Sequence, residues 1–338
     1  MSVNLCPGEG GQTKRKAIGL LSGGLDSFIA HALIKRQGLE VVALYFLSPF
    51  WKRNPLVLQG ANDLGIPVRE IFLGEEYLSL IAKPKYGYGK NLNPCIDCKI
   101  LMLKKAKEVM EAEGASLVFT GEVLGQRPKS QLSWSLRVIE KESGLDGRLL
   151  RPLSAQHLPP TIPEQEGWIN RDQLLALSGR SRKAQLALAE QLGIKNFSSP
   201  AGGCLLTDAH FSYKTKDLID HQQLSLDNVI LLRWGRHFRL TPEFKLIVGR
   251  NQKENQEILS LLRPGDFLFL PQNGKGPVAL GRGAISETEA RLSAQIVARY
   301  SRFPEEKARI EVKVYPKEDK KLLEVKPLKD EDLEKWRI

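Results

Sequence analysis

The residues best suited to chemistry fall in short stretches whose spacing is uneven but whose types are telling. SGGLDS (22–27) follows an apolar run and precedes a helical pattern. Its two glycines permit close backbone approach, and its free amide N–H groups, with the dipole of the helix behind them, make an anion site. Ser22 and Ser27 add hydroxyl donors, while Asp26 brings a carboxylate that fits either a bridging Mg2+ or a helix cap. The lysine of a Walker A loop is missing.

A second group is made of thiols. NPCIDCK (93–99) sets Cys95 and Cys98 three apart at a helix start, where both point the same way and the helix N-terminus favours thiolate; that suits a metal, a cluster or a redox pair. AGGCLLTD (201–208) carries Cys204, whose membership in the same group is not visible in spacing. Cys6 lies in a polar leader and is taken as incidental. Four cysteines in 338 residues are too few for a disulfide scaffold.

Basic residues form the third group. TGEVLGQRPKSQ (120–131) puts Arg127 and Lys129 beside polar loop residues. SGRSRKAQ (178–185) sets Arg180, Arg182 and Lys183 at a helix start. RWGRHFRL and KLIVGRNQKEN interleave Arg236, Arg239 and Arg250 with Trp234, His237 and Phe238, a mixture that can pair with phosphates and stack on unpaired bases. Alternation along a strand would instead bury the aromatics and expose the arginines. Lys plus Arg exceed Asp plus Glu by 50 to 39, giving a charge of +11 that favours a polyanionic partner such as nucleic acid, although surface lysines of a thermostable protein would also produce it. With 42% hydrophobic and 26% charged residues, composition is that of a globular protein. No apolar run approaches a membrane span and the N-terminus lacks a signal-peptide core, so no membrane association and a cytoplasmic location are expected.

These groups need a frame. AIGLL (17–21) and VVALYFL (41–47) read as buried parallel strands, with a helix over Ser27–Gln37 between them closed by Gly38. The alternation continues with a helix at Leu56–Leu64, a strand at Pro67–Leu73, a helix at Lys99–Glu113 and a strand at Ser116–Thr120. This predicts an α/β fold, a doubly wound, mostly parallel sheet whose strand ends carry SGGLDS and TGEVLGQ. After about residue 150 the pattern changes. A basic helical segment is predicted at Asp172–Leu192, then β-like runs at VILLRW, HFRL, KLIVGR, DFLFL and ARIEVKVY with helices at Gln252–Leu262 and Glu287–Tyr300, which together read as a smaller α+β domain. The expected boundaries are a leader 1–15, a main domain 16–208, a linker 209–227 and a second domain 228–338.

SGGLDS behind a first strand resembles the signature of the PP-loop ATP pyrophosphatases, over about residues 16–205. The resemblance implies a Rossmann-like fold that cleaves ATP between the α and β phosphates and adenylates a substrate oxygen. Ser22, Gly23, Gly24, Leu25, Asp26 and Ser27 would then bind the nucleotide's phosphates, with Gly121 and Gln126 also lining its site and Leu44–Ser48 near the adenine. A missing lysine fits, because the group carried away is AMP. Cys98 and Cys204 are similar to the cysteine pair of bacterial 2-thiouridylases, and Thr120, Gly121, Glu122, Leu124, Gly125, Gln126, Ser130 and Gln131 match the TGE-x-LGQ-x-x-SQ stretch of 4-thiouridine synthases. Cys95 departs from the commonest thiouridylase pattern and resembles the iron-sulfur thiolases, in which three thiolates hold a 4Fe-4S cluster. Three arrangements follow: Cys95, Cys98 and Cys204 as cluster ligands; a persulfide on Cys204 released by Cys98 or Cys95; or a Zn2+ site closed by a group such as His210. Residues 228–315 are similar to an NFACT-type RNA-binding domain, and no segment matches the THUMP or rhodanese domains of typical 4-thiouridine synthases.

Together these resemblances imply an ATP-dependent tRNA sulfurtransferase that uses ATP, Mg2+ and, in the first arrangement, a 4Fe-4S cluster. Its partners would be tRNA and a sulfur donor, sulfide or a desulfurase-type carrier; the sequence carries no sign of oligomeric state. Competing readings are a PP-loop ligase or amidotransferase acting on a small carboxylate, and a non-catalytic RNA-binding protein.

Overall fold

A computed structural model describes residues 15–198, 203–317 and 319–338, so Cys6, most of the expected leader and residues 199–202 of the Cys204 loop lie outside the described residues. The chain divides into two compact units: Met1–Gly89 with Pro94–Gly203, and Lys90–Asn93 with Cys204–Ile338.

The first unit is an α/β layer structure. Its strands are β1 (Lys16–Leu20), β2 (Glu40–Leu47), β3 (Val68–Phe72), β4 (Leu117–Thr120) and β5 (Leu149–Leu150), and they pair in parallel in the order β3-β2-β1-β4-β5. The central strands β1 and β4 are buried on both faces, which is why they read as unbroken apolar runs rather than alternating ones. The helices are α1 (Leu25–Arg36), α2 (Leu56–Asp63), α3 (Glu75–Ala82), α4 (Cys95–Ala112), α5 (Ser133–Ser143), α6 (Ile162–Gln165) and α7 (Lys183–Gln191). From β1 the chain moves outward through β2 to β3, then returns to place β4 on the other side of β1. The strand order therefore reverses between β1 and β4, and the loops leaving these two strands face the crevice where open α/β sheets bind ligands.

Leu25, Phe28 and Ile29 on α1 pack with Phe119 of β4 and Ala189 of α7 in one core. Burying such side chains contributes on the order of 2 kcal/mol each, which fixes the helix behind SGGLDS against the sheet. The basic segment expected as one helix over Asp172–Leu192 is instead a short 3-10 turn, an extended stretch and then α7. Leu175 and Leu177 donate their backbone N–H groups to the carbonyls of Pro152 and Leu153, just beyond β5, so this stretch is held extended rather than helical, and Gly179 turns it at a positive φ. Helix α4 begins at Cys95 rather than at Lys99, which places both CxxC thiols within its first turn.

The second unit holds α8 (Ala209–Asp220), α9 (Leu226–Leu231), α10 (Gln252–Ser260), α11 (Glu287–Arg299) and α12 (Asp330–Leu333). Strands β6 (Arg236–Arg239), β7 (Lys245–Val248), β8 (Phe267–Pro271), β9 (Ala279–Arg282), β10 (Ala308–Val314) and β11 (Lys320–Val325) form an antiparallel sheet in the order β11-β10-β8-β9-β7-β6. One face packs Phe238, Leu246 and Val248 on α11, while Ile247 and Leu280 on the other meet Leu231 and Ile258. Two expectations change here. Residues 209–227 are not a linker: most of them form α8, capped by Asp208 and carrying buried Phe211 and Leu218. VILLRW is not a strand, because Ser225 caps α9 and accepts the Val229 N–H at its carbonyl, and buried Val229 and Leu232 lie three apart. Among the described residues no helix is long and apolar enough to cross a membrane.

Candidate active site

SGGLDS leaves the carboxyl end of β1 and turns into α1, whose N-cap Gly24 brings no capping side chain. The first-turn amides of Leu25 and Asp26 are thus left for an anion, whereas that of Ser27 donates to the Gly24 carbonyl. Gly23 has φ +80, and a Cβ there would lie 2.4 Å from Asn54 Nδ2, so only glycine fits the turn. The loop is braced from below: Ser27 Oγ donates to the Gly24 carbonyl at 2.7 Å, and Ser198 donates through its backbone N–H to the Gly23 carbonyl at 2.9 Å. His31, one helical turn on, is fully buried and donates through Nδ1 to the Ser27 carbonyl at 2.7 Å. Burial lowers its pKa to about 4, so the ring is neutral at physiological pH.

The loop leaving β4 closes over this helix start. A Cβ on Gly121 would stand 2.6 Å from the Asp26 carbonyl carbon and from the Ser27 nitrogen, so the two backbones are in direct contact. Gln126, expected at the nucleotide and base border, donates through Nε2 to Asp26 Oδ2 at 3.0 Å. The other oxygen, Asp26 Oδ1, is buried without a hydrogen-bond partner. A carboxylate with one oxygen held and one buried and unsatisfied is what a divalent cation would complete, so Asp26 fits the Mg2+ expected there.

Glu122 points the other way, into a buried charge cluster. Its Oε2 accepts from Thr120 Oγ1 at 3.0 Å and from Arg151 Nε at 3.4 Å, and its Oε1 lies 3.7 Å from Lys99 Nζ. Burial alone would push this carboxyl up, but Lys99 and Arg151 outweigh it and hold the pKa below the usual carboxylate range. Lys99 follows Cys98 directly, so the cluster ties the cysteine helix to the β4 loop.

Cys95 is half-buried and Cys98 is buried, one turn apart at the start of α4. Burial pushes the Cys95 thiol up, opposed by the charges of Arg127, Lys99 and Lys129. Three cations around a thiol stabilise whatever negative charge is placed there, whether thiolate or a bound anion. Between the cysteines, buried Asp97 accepts the backbone N–H groups of Lys85 at 2.8 Å and Tyr86 at 3.1 Å. Cys204 belongs to the second unit, at the edge of the 3-10 turn Leu205–Thr207. Among the described residues no group of three or more His, Cys, Asp or Glu side chains is gathered as a metal site, and His210, the fourth ligand of the zinc arrangement, is exposed on α8. The two thiols of α4 and their cationic surroundings suit an anionic sulfur species or a thiolate-bound cluster.

The basic residues divide by what holds them. Lys129 has φ +72 and its Nζ donates to the carbonyls of Gly87, at 2.9 Å, and Tyr88, so it serves the loop over the cysteine helix rather than an RNA phosphate. Arg127, Arg180 and Lys183 are exposed, while Arg182, at the N-cap of α7, keeps a buried Nε without a partner. In the second unit Arg239 is bidentate to Asp217, at 3.0 and 2.6 Å, and nearly buried, so the RNA contact expected of it gives way to a structural ion pair. Arg250 is exposed but paired with Glu254 at 2.6 Å, and Arg236 lies 4.4 Å over the Tyr300 ring and is partly exposed. Sequence reading missed Lys99, Asp97, Arg151 and His31. A cation beside a CxxC and a carboxylate inside it were the available signals for the first two; nothing local marks the others.

Residues 235–337 match the NFACT protein RNA binding domain. The chain is 32% identical over 45% of its length to a probable tRNA sulfurtransferase of Lysinibacillus sphaericus, covering 39% of that protein. It is 27% identical over 60% of its length to a probable tRNA sulfurtransferase of Methanothermobacter thermautotrophicus, covering 48% of it. The chain thus spans less than half the length of these curated relatives. A solved complex of a 4-thiouridine synthetase with RNA and bound ATP covers 53% of this chain and 52% of its own, at 22% identity and a TM-score of 0.34. The resemblances read from the motifs, to the tRNA-thiolating PP-loop branch and to the NFACT-type domain, are met by the matches in sequence.

Proposed function

We propose that this chain, similar to tRNA sulfurtransferases and carrying an NFACT-type RNA-binding domain, uses ATP to replace a uridine carbonyl oxygen of tRNA with sulfur. The observation that carries this reading is a convergence in the first unit. The Asp26–Gln126 pair sits at the switch point between β1 and β4, and the β4 loop that makes it is tied through Glu122 and Lys99 to the helix bearing Cys95 and Cys98.

A uridine carbonyl is a poor electrophile because its oxygen leaves badly. Attack of that oxygen on the α-phosphorus of ATP releases pyrophosphate and converts it to a leaving group. Amides at Gly23, Gly24 and Leu25, with the Ser22 hydroxyl, would receive the departing pyrophosphate, while Ser27 braces the loop through its bond to the Gly24 carbonyl; the N-terminus of α1 favours the negative charge. Asp26 would hold Mg2+, which supplies charge neutralisation at the phosphates. Gly121 keeps the β4 loop in contact with the helix start, and Gln126 orients the carboxylate. Hydrosulfide then forms the carbon–sulfur bond as the carbon–oxygen bond to AMP breaks; with sulfide as donor no electrons are gained or lost overall.

Cys95, Cys98 and Cys204 would hold a 4Fe-4S cluster, which would supply Lewis-acid chemistry for capturing hydrosulfide. Lys99, next to Cys98, would stabilise the incoming sulfur's negative charge. The test is anaerobic purification with iron and acid-labile sulfide analysis on the wild type and on Cys95→Ala, Cys98→Ala and Cys204→Ala, followed by assay for thiouridine, AMP and pyrophosphate with ATP, sulfide and tRNA. About four irons lost in each variant, with thiouridine formed only by the wild type, is expected. Thiouridine formation by iron-free protein from sulfide would overturn the cluster and leave hydrosulfide attacking directly, while thiouridine formed by iron-free protein only from a desulfurase-type carrier that delivers sulfane sulfur would replace the cluster by a persulfide on Cys204; pyrophosphate release that ignores tRNA would overturn the tRNA reading and favour a small carboxylate substrate.

A further inference from the structure

Helix α5, SWSLRVIEKES, turns Ser135, Leu136, Ile139 and Ser143 inward. That face is a complete amphipathic stripe, so packing places no demand on Trp134. Trp134 is nevertheless 49% exposed, and Leu132, at the helix N-cap, is 40% exposed. A tryptophan exposed in this way, with an exposed leucine two residues before it, keeps apolar surface in water with no gain to the fold.

Its surroundings say which kind. Arg137 and Lys141 follow Trp134 at helical spacing of three and then four, both exposed on the same stripe. Among the described residues Lys141 has no ion pair, Arg137 makes one hydrogen bond of 3.4 Å to Ser133, and Arg127, exposed in the loop before the helix, is unpaired. An aromatic plane flanked by uncommitted cations is the composition that takes unstacked nucleotides, bases on the ring and phosphates on the charges.

The stripe is continuous with the candidate active site. Gln126, next to Arg127, holds Asp26, and the Lys129 carbonyl accepts from Ser135 Oγ in the first turn of α5, so the β4 loop and the start of α5 are one piece. We propose that the exposed face of α5, with Trp134 as a stacking platform and Arg127, Arg137 and Lys141 as phosphate contacts, binds an unpaired RNA segment flanking the target uridine. This rests on the tRNA reading above and adds to it a surface outside the NFACT-type domain.

The experiment uses the full chain with unfractionated tRNA. Wild type, Trp134→Ala and Trp134→Phe are compared for KM of tRNA and kcat in thiouridine formation, for thermal midpoint, and for the tryptophan fluorescence quenched by tRNA. Trp134→Ala is expected to raise KM about tenfold with kcat within about twofold, and Trp134→Phe to recover most of the loss. Thermal midpoints should be alike because the side chain is exposed, and the Trp134→Phe protein should lack part of the wild-type quenching. Unchanged KM and unchanged quenching in both variants, with the wild type active on tRNA, would overturn this inference alone and leave the face to another occupant. A wild type that neither binds nor thiolates tRNA would overturn the tRNA reading and this one together.

Discussion

Gln126 donates its side-chain amide to Asp26 across 100 positions of sequence, at 3.0 Å, and leaves Asp26 Oδ1 buried without a partner. The bond fixes the carboxylate's rotation so that one oxygen is spent on the protein and the other is held ready. A hydrogen bond to a charged group is worth about 1.5–3 kcal/mol, enough to keep the carboxylate oriented before any ligand arrives. Asp26→Asn should therefore reduce pyrophosphate release more than 100-fold, and Gln126→Ala should raise the Mg2+ concentration needed for half-maximal release about tenfold. Titrating Mg2+ at fixed ATP checks both. Equal Mg2+ dependence in Gln126→Ala and wild type would remove the orienting role.

Gly121 makes the second half of that arrangement. A methyl group there meets backbone on three atoms at 2.6 Å, Asp26 carbonyl carbon, Asp26 carbonyl oxygen and Ser27 nitrogen, none of which can rotate away. Gly121→Ala should cost about 1–3 kcal/mol and displace the helix start, weakening ATP binding more than it lowers stability. Urea unfolding with and without ATP separates the two effects; an ATP-induced stabilisation equal to that of the wild type would contradict the close approach.

Glu122 is the hinge of the charge cluster that connects the β4 loop to the cysteine helix. Arg151 is almost fully buried, bonded also to Glu140 at 2.9 Å and to the Leu136 carbonyl at 3.0 Å, so it stays in place and charged when Glu122 is neutralised. Removing one partner from a buried pair costs about 3–5 kcal/mol; because Glu140 still shares the guanidinium, the lower end is expected for Glu122→Gln. Denaturant midpoints at pH 7 measure it. The carboxyl's lowered pKa gives the sign with pH: its contribution is fully present above the ordinary carboxylate range and is lost as pH falls through the folded value, so wild type and Glu122→Gln should converge only in acid.

His31 produces a different acid dependence. Folded, it binds a proton only near pH 4; unfolded, it does so near the ordinary value of 6.5. The unfolded state therefore holds more protons between those values, and stability falls as pH drops below about 6.5, by about 2 kcal/mol on reaching pH 5. Asparagine can keep a donor for the Ser27 carbonyl and does not titrate. The loss of stability between pH 7 and 5 should be about 2 kcal/mol smaller in His31→Asn, whatever its stability at pH 7, and an equal slope in the two proteins would show that the ring is protonated when folded.

The sheet of the first unit was legible because parallel strands buried on both faces are written as unbroken apolar runs, as in Ala17–Leu20 and Val41–Phe46. Its loop signature was legible because Gly23 must adopt a positive φ. The stretch Leu174–Leu177 misled because its apolar residues join the core in an extended run, a choice made by the distant carbonyls of Pro152 and Leu153 rather than by local spacing. VILLRW misled for a related reason: short apolar runs suit strand and helix alike, and Ser225 decides the matter from outside the run. Arg151 was invisible because its partner Glu122 is joined to it only by the fold, and His31 because its complete burial against Phe119, not its local bond to the Ser27 carbonyl, sets its behaviour.

The arginines of RWGRHFRL separate in the same way, and the separation is testable. Arg236 and Arg239 are at the two ends of β6, yet Arg239 is bidentate to Asp217 while Arg236 covers the Tyr300 ring and remains partly exposed. Asp217 also receives Lys245 at 3.5 Å, and burial lowers that lysine's pKa to about 7, so Lys245 replaces a missing guanidinium poorly. Arg239→Ala should thus lower the stability of the second unit by about 3 kcal/mol, and any loss of RNA binding should track the unfolded fraction. Arg236→Ala gives up only a partly exposed cation–π contact, worth about 0.5–1 kcal/mol, and should instead weaken RNA binding in a folded protein. Each phosphate contact removed from single-stranded RNA lowers the slope of log affinity against log salt by about 0.7. Binding titrations from low to moderate salt, with thermal unfolding alongside, distinguish the two. A salt slope that falls in Arg239→Ala but not in Arg236→Ala, at unchanged stability, would reverse the assignment and return Arg239 to the RNA surface.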